Sequence, residues 1–207
     1  IFITHQLNIK AGIFENLVNK IQHSYIKRFN YCWVPDYEIE SQSLAGGLSK
    51  KNKYLKNVLY IGPQSIFKKT EKHTAAFDLC FLLSGPEPQR SSLERNIFEW
   101  CSNTKKKICI IRGTDIPLNI KFEDNIIVYN LLEPSLINQL FCNSKMIVCR
   151  SGYSTIMDLH RIGRKAIFVP TPGQTEQEYL AKYHELKHKA KIIKQKEFVE
   201  KLEELLD

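Results

Sequence analysis

The stretch MIVCRSGYSTIMDLHRIGRKAIFV, residues 146–169, decides the fold. It opens with an apolar run at Met146–Cys149, has apolar residues at helical spacing over Ser154–Ile162, and closes with a second apolar run at Ala166–Val169. Short apolar runs bounded by turn residues are typical of buried strands, and a period near 3.6 indicates an amphipathic helix. Two such strands joined by a helix predict a βαβ unit in a parallel sheet.

The same alternation continues on both sides of this stretch. It predicts further strands and helices, namely strands Asp78–Leu83, Ile108–Arg112, Ile126–Tyr129 and Lys191–Ile193 and helices Ser91–Cys101, Pro134–Cys142, Glu176–Leu186 and Glu197–Leu206. Because the strands are almost wholly apolar, both faces of the sheet must be covered. The predicted fold class is therefore α/β, a Rossmann-like parallel sheet with helices on both faces.

The first third of the chain is less regular. The predicted elements are strands Ile1–Thr4, Tyr31–Val34 and Val58–Ile61 and a helix over about Ala11–Phe29, whose apolar stripe is Ile13, Phe14, Leu17, Val18, Ile21 and Tyr25. Residues 36–56 are predicted to be a polar loop, and the aperiodic KKTEKHT of Lys68–Thr74, which includes His73, a linker. We therefore divide the chain into residues 1–70, the tail of a second Rossmann-like domain with its linker, and residues 71–207. Because the chain opens inside a strand without a Met, we expect a fragment whose natural amino-terminal part is absent.

Composition excludes several classes of protein. With 43% hydrophobic and 25% charged residues the chain is globular and not disordered, and it has no apolar run long enough to span a membrane. The net charge is +8, and residues 1–75 hold 11 basic and 5 acidic groups, which suggests an anionic partner or simply a solvated basic surface. The lysines lack interleaved aromatics, which argues against nucleic acid. Without a CxxC pair, the cysteines are expected to be buried hydrophobes in a reducing cytoplasm, with no disulfide partner; they are Cys32, Cys80, Cys101, Cys109, Cys142 and Cys149.

Three strand-to-helix junctions contain glycine and a capping-box spacing. The glycine turns are Ser84-Gly85-Pro86, Arg150-Ser151-Gly152 and Thr171-Pro172-Gly173, and the three boxes pair Ser91 with Glu94, Thr155 with Asp158 and Thr175 with Glu178. Ligands bind outside the carboxyl ends of parallel strands, and the free N–H groups of helix amino termini attract phosphate. The junctions therefore predict a phosphate-bearing ligand, although routine helix capping would give the same spacing.

Arg150 and Asp158 are the most specific candidates at these junctions. Arg150 is expected to emerge at a strand end with its guanidinium open to a phosphate or carboxylate. Asp158 could pair with the hydroxyls of a ribose, or the two side chains could simply pair with each other. The loop Gln174–Gln177 could read sugar hydroxyls or be an ordinary polar loop.

The run from Val148 to Tyr183 resembles the donor-binding region of glycosyltransferase family 28. This family has the GT-B fold and includes the bacterial N-acetylglucosaminyltransferase that makes lipid II. The matching positions are Arg150, Ser151, Gly152, Thr155, Asp158, Gly163, Pro170 and Gln177. The resemblance implies that Asp158, where the family has Glu, binds the ribose of a uridine diphosphate sugar and that Gln177 contacts sugar hydroxyls.

The resemblance extends more weakly to other segments. Ser84–Gln89 stands where the family has a glycine-rich diphosphate loop, and Leu131-Leu132 falls near the family's uracil site. His5–Gly12 resembles the family's acceptor-facing loop and matches it at His5, Asn8 and Gly12, which makes His5 and Asn8 acceptor-side candidates. The resemblance implies that residues 71–207 are the nucleotide-sugar donor-binding domain. It implies that residues 1–70 are the carboxy-terminal part of the acceptor-side domain with its linker, and that most of that domain is missing. The implied donor-binding set is Ser84, Gly85, Leu132, Arg150, Ser151, Gly152, Ser154, Thr155, Asp158, Gln174, Glu176 and Gln177.

The resemblance implies an inverting transferase that moves N-acetylglucosamine or a related hexosamine from a UDP-sugar to an acceptor hydroxyl. It implies no metal or other cofactor, so helix amino termini and Arg150 are expected to stabilise the leaving diphosphate. No residue of this chain is predicted to be the general base, which the family carries earlier in the chain. A lipid-linked or membrane-surface acceptor and a cytoplasmic location, peripheral on the inner face of the membrane, are expected.

Two alternatives remain open. A UDP-sugar epimerase of the same fold needs acid and base carboxylates, for which Glu176 and Glu178 are the candidates. A non-catalytic donor-binding subunit is the other alternative, and the strand and helix of residues 1–29 argue against it.

Overall fold

The computed structural model describes residues 1–70 and 75–206, which form two parallel sheets. The first sheet has the order β1 (Phe2–Ile3), β2 (Cys32–Val34) and β3 (Val58–Tyr60). The second has the order β6-β5-β4-β7-β8-β9, with β4 at Phe77–Leu82, β5 at Ile108–Ile111, β6 at Ile126–Tyr129, β7 at Ser144–Cys149, β8 at Ala166–Phe168 and β9 at Ala190–Ile192. All described strand pairs are parallel, so the predicted α/β class is confirmed.

Six α-helices are present in the described residues: α1 Glu15–Ile26, α2 Gln89–Cys101, α3 Pro134–Cys142, α4 Tyr153–Ile162, α5 Thr175–Leu186 and α6 Phe198–Lys201. The predicted last helix, Glu197–Leu206, is divided: the short α6 lies between 3-10 turns at Gln195–Glu197 and Glu203–Leu205. Phe198 and Leu202 are still fully buried, so the i,i+4 pattern that suggested a helix places the expected side chains in the core.

The strands of the second sheet bury side chains on both faces. On β4, Leu79 and Phe81 point into one core cluster together with residues of α2 and α6, whereas Cys80 points into the opposite cluster with residues of α3, α4 and α5. All four residues of β5 are buried. This two-sided burial is why the strands read as continuous apolar runs.

The strand order reverses between β4 and β7. From β4 the chain proceeds outward through β5 and β6, and from β7 it proceeds the other way through β8 and β9. In open parallel sheets such a reversal opens a crevice at the carboxyl ends of the two central strands. The turns that follow β4 and β7 therefore flank the expected ligand position.

Residues 36–56 were expected to be a polar loop, yet residues 43–49 within it are mostly buried and pack against α4 and α5. Leu44, Ala45 and Leu48 belong to the core cluster that also contains residues of those helices. The carboxylate of fully buried Asp36 accepts hydrogen bonds that organise the segment, from the N–H groups of Tyr37, Leu44 and Ala45 and from the hydroxyls of Ser43 and Ser49, over 2.6–3.1 Å. This segment attaches the first sheet to the second.

Most of the predicted apolar stripe along α1 is exposed, although Val18 is half-buried. Ile13 is 92% exposed, and Phe14, Leu17, Ile21 and Tyr25 are each at least 47% exposed. The inner side of the helix instead makes polar contacts with the preceding loop: Asn19 accepts a hydrogen bond from the N–H of Ile9, and His23 contacts the carbonyl of Leu7. The periodicity therefore indicated the helix correctly but not the side that faces the protein.

Other sequence predictions can also be compared with the described residues. No helix among residues 1–70 and 75–206 combines the length and hydropathy needed to cross a bilayer. All six cysteines are buried. In the same residues no three His, Cys, Asp or Glu side chains form a group suited to a metal ion. His73 and most of the predicted linker, residues 71–74, lie outside the described residues.

Candidate functional site

The turns after β4 and β8 approach each other at the carboxyl edge of the second sheet. Gly85 has a φ of 102°, a conformation that glycine adopts without strain. A Cβ atom placed on Gly85 would lie 3.7 Å from Oγ1 of Thr171, so the Ser84-Gly85 turn reaches across to the turn that follows β8. Ser84 and Gly85 are exposed, while Thr171 is buried.

Arg150 differs from its prediction, because its guanidinium is turned into the protein. The residue is 1% exposed, and its two terminal nitrogens donate to the carbonyls of Val169, Pro170 and Gln89 and to Oε1 of Gln195 at 2.7–3.3 Å. Burial lowers its pKa to about 10. Arg150 thus fastens the end of β8 and the start of α2 to the crevice and presents no open fork to a ligand.

The three predicted capping boxes do not form. The residues that cap α2, α4 and α5 are Pro88, Gly152 and Gln174, and none of them makes a side-chain capping hydrogen bond. Each helix begins earlier than the box requires, so Ser91, Thr155 and Thr175 lie inside the first turn. The first N–H groups of a helix have no hydrogen-bond partner within the helix. Those at the amino ends of α4 and α5 are therefore available as donors to a ligand in the crevice.

Side chains of the α5 turn reach back and hold the preceding loop. Gln177 accepts a hydrogen bond from the N–H of Thr171 at 2.9 Å and donates to Oε1 of Gln174 at 2.6 Å. Its carbonyl accepts from Oγ of buried Ser151 at 2.7 Å, which links the amino ends of α4 and α5. Ser151 and Gln177 were both predicted site residues, and here they fix the relative position of the two helices.

Asp158 lies half-buried on α4, in contact with the segment that follows β3. Oγ of Ser65 donates to Oδ1 of Asp158 at 2.5 Å. Burial raises the pKa of this carboxyl, and the hydrogen bond from Ser65 opposes that rise. The alternative Arg150–Asp158 ion pair is not formed, since every acceptor of the Arg150 guanidinium is a carbonyl or amide oxygen.

The acceptor-side candidates His5 and Asn8 separate in the structure. Nε2 of His5 lies 2.9 Å from Oε1 of Glu176, and the amide of Gln6 donates to the other oxygen of that carboxylate. The His5 ring stacks on the ring of Tyr153, the first residue of α4, at 4.0 Å between centroids. Asn8 instead donates to the backbone carbonyls of Gly47 and Lys50 and lines a groove along α1, all within residues 1–70, the first unit of the molecule. His5 therefore belongs to the crevice, and Asn8 does not.

The remaining predicted residues lie at the rim. Ser154 is exposed, Thr155 and Gly152 are half-buried, and Leu132 packs partly against the core after β6 while Leu131 is 61% exposed.

Two buried polar atoms at this edge lack a hydrogen-bond partner in the described residues, Nε of Arg150 and Oγ1 of Thr171. Buried polar atoms are nearly always paired, so the Thr171 hydroxyl beside Gly85 is a candidate ligand contact.

A buried ionic cluster beside the crevice was missed by the sequence reasoning. Glu94 on α2 accepts from Arg90 at 2.6 Å and from Nε of Arg112 at the end of β5, and all three side chains are at least 93% buried. Arg112 also donates to Oδ1 of Asn130 at 2.6 Å, which fixes the turn after β6. An arginine directly after an all-apolar strand was the available signal, and it is the same signal that singled out Arg150.

Comparison with protein families gives one match. The model of the glycosyltransferase family 28 C-terminal domain matches residues 93–207, which is more than half of the chain. The matched span contains α4, α5 and the turns that precede them. No curated protein matches the sequence.

Solved structures with the same fold include glycosyltransferases. Acinetobacter baumannii MurG matches 99% of this chain and 58% of its own, with 16% identity and a TM-score of 0.58. The glycotransferase of kitacinnamycin matches 91% and 55%, with 12% identity and a TM-score of 0.58. Phytolacca americana UGT2 complexed with UDP-2-fluoro-glucose and pterostilbene matches 93% and 47%, with 13% identity and a TM-score of 0.52. These likenesses confirm the predicted GT-B fold, and the chain spans about half the length of each structure.

Proposed function

The chain belongs to glycosyltransferase family 28, and from this premise we propose that it holds the nucleotide-sugar donor for an inverting glycosyltransferase. The donor is a UDP-sugar, N-acetylglucosamine or a related hexosamine, and the acceptor is a hydroxyl group. The observation that carries the proposal is the meeting of the amino ends of α4 and α5 at the β4–β7 crevice, where Ser151 and Gln177 join them. The UDP-2-fluoro-glucose named for UGT2 belongs to the same ligand class.

In this proposal the diphosphate lies over the amino end of α4 and against the Ser84-Gly85 turn. The unpaired N–H groups of the first helical turn and the helix dipole stabilise negative charge at this position. The buried hydroxyl of Thr171, which has no partner in the described residues, supplies a further donor. Because these donors are fixed before the reaction, they stabilise the charge that develops on the leaving diphosphate. The proposed mechanism needs no metal or other cofactor.

Arg150 has a positioning role in this mechanism. Its contacts to the carbonyls of Pro170 and Gln89 hold the two turns on either side of the diphosphate at a fixed separation. The buried charge raises the electrostatic potential of the crevice even though the guanidinium does not touch the ligand.

The ribose is proposed to bind Asp158 through the carboxylate oxygen that Ser65 does not occupy. A carboxylate accepts hydrogen bonds at both oxygens, so one oxygen can hold Ser65 while the other accepts from a ribose hydroxyl. Leu132 at the end of β6 provides the adjacent apolar surface for the base.

The transferred sugar is proposed to face Glu176 and Gln174 at the start of α5. His5 and Gln6, which belong to the first unit, contact the Glu176 carboxylate. The acceptor side of the crevice is therefore in contact with the residue proposed to bind the sugar. Gln177 contributes partly by fixing the loop that precedes α5, since its side-chain amide is already hydrogen-bonded to the N–H of Thr171 and to Oε1 of Gln174. We assign no general base among these residues.

The basic first third of the chain supports a proposal about the acceptor. Residues 1–75 carry 11 basic and 5 acidic groups. A positive surface attracts anionic headgroups, so we propose a lipid-linked acceptor that is presented at a membrane surface from the cytoplasmic side.

Calorimetric titration of the chain with UDP, ADP and GDP tests the donor site. We expect UDP to bind at least tenfold more tightly than the other two nucleotides. Asp158→Ala is expected to weaken UDP binding by about tenfold, because one charge-assisted hydrogen bond is lost. Ser65→Ala should have a smaller effect, since the carboxylate remains.

Asp124→Ala is the matched control, because Asp124 is exposed at the amino end of β6, away from the crevice. Equal binding of the three nucleotides, or equal losses in the two aspartate variants, would contradict the proposed donor site.

A further inference from the structure

A cavity of about 460 Å³ lies beside α5, outside the carboxyl ends of β8 and the edge strand β9. Its apolar walls are Pro170 and Pro172 from the turn after β8, Ala181 from α5 and Ile192 from the end of β9. The volume is within the range of about 300–1,000 Å³ that is usual for small-molecule sites. None of the residues proposed to contact the donor lines it, so the cavity is separate from the crevice.

Three ammonium groups from two elements line the opening of this cavity, Lys182 on α5 and Lys194 and Lys196 after β9. Within the described part of the chain, Lys182 and Lys196 have no ion-pair partner, and Lys194 reaches only Glu197, at 4.0 Å. Glu178, the acidic residue among the described residues that line the cavity, already accepts a hydrogen bond from the N–H of Gly173 at 3.1 Å. The opening therefore carries an excess of positive charge over an apolar interior.

The remaining lining residue, Gln195, has its amide engaged inside the protein. Its oxygen accepts from Arg150 at 2.7 Å, and its nitrogen lies 3.3 Å from Oε1 of Gln89. The cavity thus offers apolar surface and cations and few neutral polar groups. Sugars and nucleosides need such neutral groups to pair their hydroxyls and base edges, so this lining does not suit them.

We propose that this cavity binds a small amphiphilic carboxylate, a fatty acid of medium chain length. The hydrocarbon tail of the fatty acid packs against the two prolines, Ala181 and Ile192, where burial of each methylene is favourable. The carboxylate lies at the opening among the three lysines, whose charge complements it. Pro170 and Pro172 flank Thr171 in the turn that Gln177 and Glu178 hold, so a bound fatty acid contacts the same turn that borders the donor crevice.

Calorimetric titration with octanoate, 1-octanol and acetate tests this site on the 207-residue chain. Octanoate supplies both a hydrocarbon tail and a negative charge, octanol supplies only the tail, and acetate supplies only the charge. We expect octanoate to bind at least tenfold more tightly than octanol, and acetate to give no measurable heat. Equal binding of octanoate and octanol, or no binding of octanoate, would overturn the proposal.

Charge-reversal variants localise the binding. Lys182→Glu and Lys196→Glu should each weaken octanoate binding at least fivefold. Lys165→Glu is the matched control, because Lys165 is exposed at the amino end of β8, on the opposite edge of the sheet, and it should stay within twofold of the parent chain. An equal loss in the control would show nonspecific attraction and overturn the site, and unchanged binding in both test variants would do the same.

Discussion

The two sheets of this molecule are both parallel, yet they are stabilised in different ways. The six-stranded sheet buries alternate apolar residues on its two faces, as Leu79 and Cys80 do on β4. Among the residues that the structure describes, the three-stranded sheet has a core of six buried hydrophobic residues, and a buried carboxylate, Asp36, organises the segment that joins it to the larger sheet. Apolar periodicity therefore determines one unit, while a few polar side chains determine how the other is attached.

Among the substitutions considered, that of Asp36 is expected to lower the free energy of unfolding most. Asp36→Ala leaves the N–H groups of Leu44 and Ala45 buried without an acceptor. As donors, the hydroxyls of Ser43 and Ser49 keep only contacts at 3.2 Å, to each other and from Ser49 to the carbonyl of Gly46. These losses should lower the free energy of unfolding by about 4 kcal/mol. Asp124→Ala, an exposed control, should change it by less than about 0.5 kcal/mol.

The two tryptophans separate the responses of the two units. Trp33 lies on β2 and Trp100 on α2, so Trp33→Phe and Trp100→Phe each leave one fluorescent reporter. In urea unfolding the Asp36→Ala shift should be larger for Trp33 than for Trp100. Equal shifts would mean that the two units unfold as one body and would remove the proposed contrast.

Acid is expected to weaken the junction between the units through His184. This histidine lies on α5, is 4% exposed and contacts the carbonyl of Leu44, and burial lowers its pKa to about 4. In the unfolded chain the His184 imidazole binds a proton near pH 6.5, whereas in the folded chain it binds one only near pH 4. The free energy of unfolding should therefore fall as the pH decreases across that window, by up to about 3 kcal/mol. His184→Gln should flatten this dependence in urea unfolding measured between pH 7 and 4, whereas His188→Asn, at an exposed site, should not. A parallel pH dependence in both variants would assign the effect to other groups.

Two glycines with the same backbone conformation make it possible to measure how closely residues 43–49, in the segment that joins the two sheets, are packed. Gly46 and Gly12 have nearly the same backbone conformation, with φ of 56° and 55°. A Cβ atom on Gly46 would lie 2.6 Å from the ring of Tyr183 and 2.8 Å from the hydroxyl of Tyr179, whereas none of the described atoms lies within 4 Å of one on Gly12. Both alanine variants should therefore show the cost of a left-handed residue, about 1–2 kcal/mol, and Gly46→Ala should lose about 2 kcal/mol more from overpacking.

Thermal unfolding of the two alanine variants measures this difference. If Gly46→Ala is no less stable than Gly12→Ala, the segment is not closely packed on α5.

The same contrast explains which parts of the structure the sequence could predict. The strands and helices of the second sheet follow from runs such as Ile108–Ile111 and Pro134–Cys142, because local periodicity determines them. The glycine turns at its carboxyl edge were identified for the same reason. Periodicity also indicated α1, but it could not reveal which side of the helix contacts the protein.

Contacts between residues distant in the sequence could not be predicted. Arg150 donates to Pro170 and Gln195, and Asp158 accepts from Ser65, 93 residues away. Whether an arginine at a strand end faces a ligand or the core depends on which carbonyls surround it in the folded state. The capping boxes failed for a related reason, since the spacing that defines them is also met by residues in the first turn of a helix that begins earlier.

Hydrogen exchange of the chain with and without saturating UDP tests the central claim, that the donor nucleotide binds in the crevice between β4 and β7. We predict slower exchange in peptides that cover residues 84–90 and 150–158, together with unchanged exchange over residues 12–27. Protection confined to residues 12–27 and 50–54, the groove along α1, would contradict the claim, and so would saturating binding without protection at the crevice.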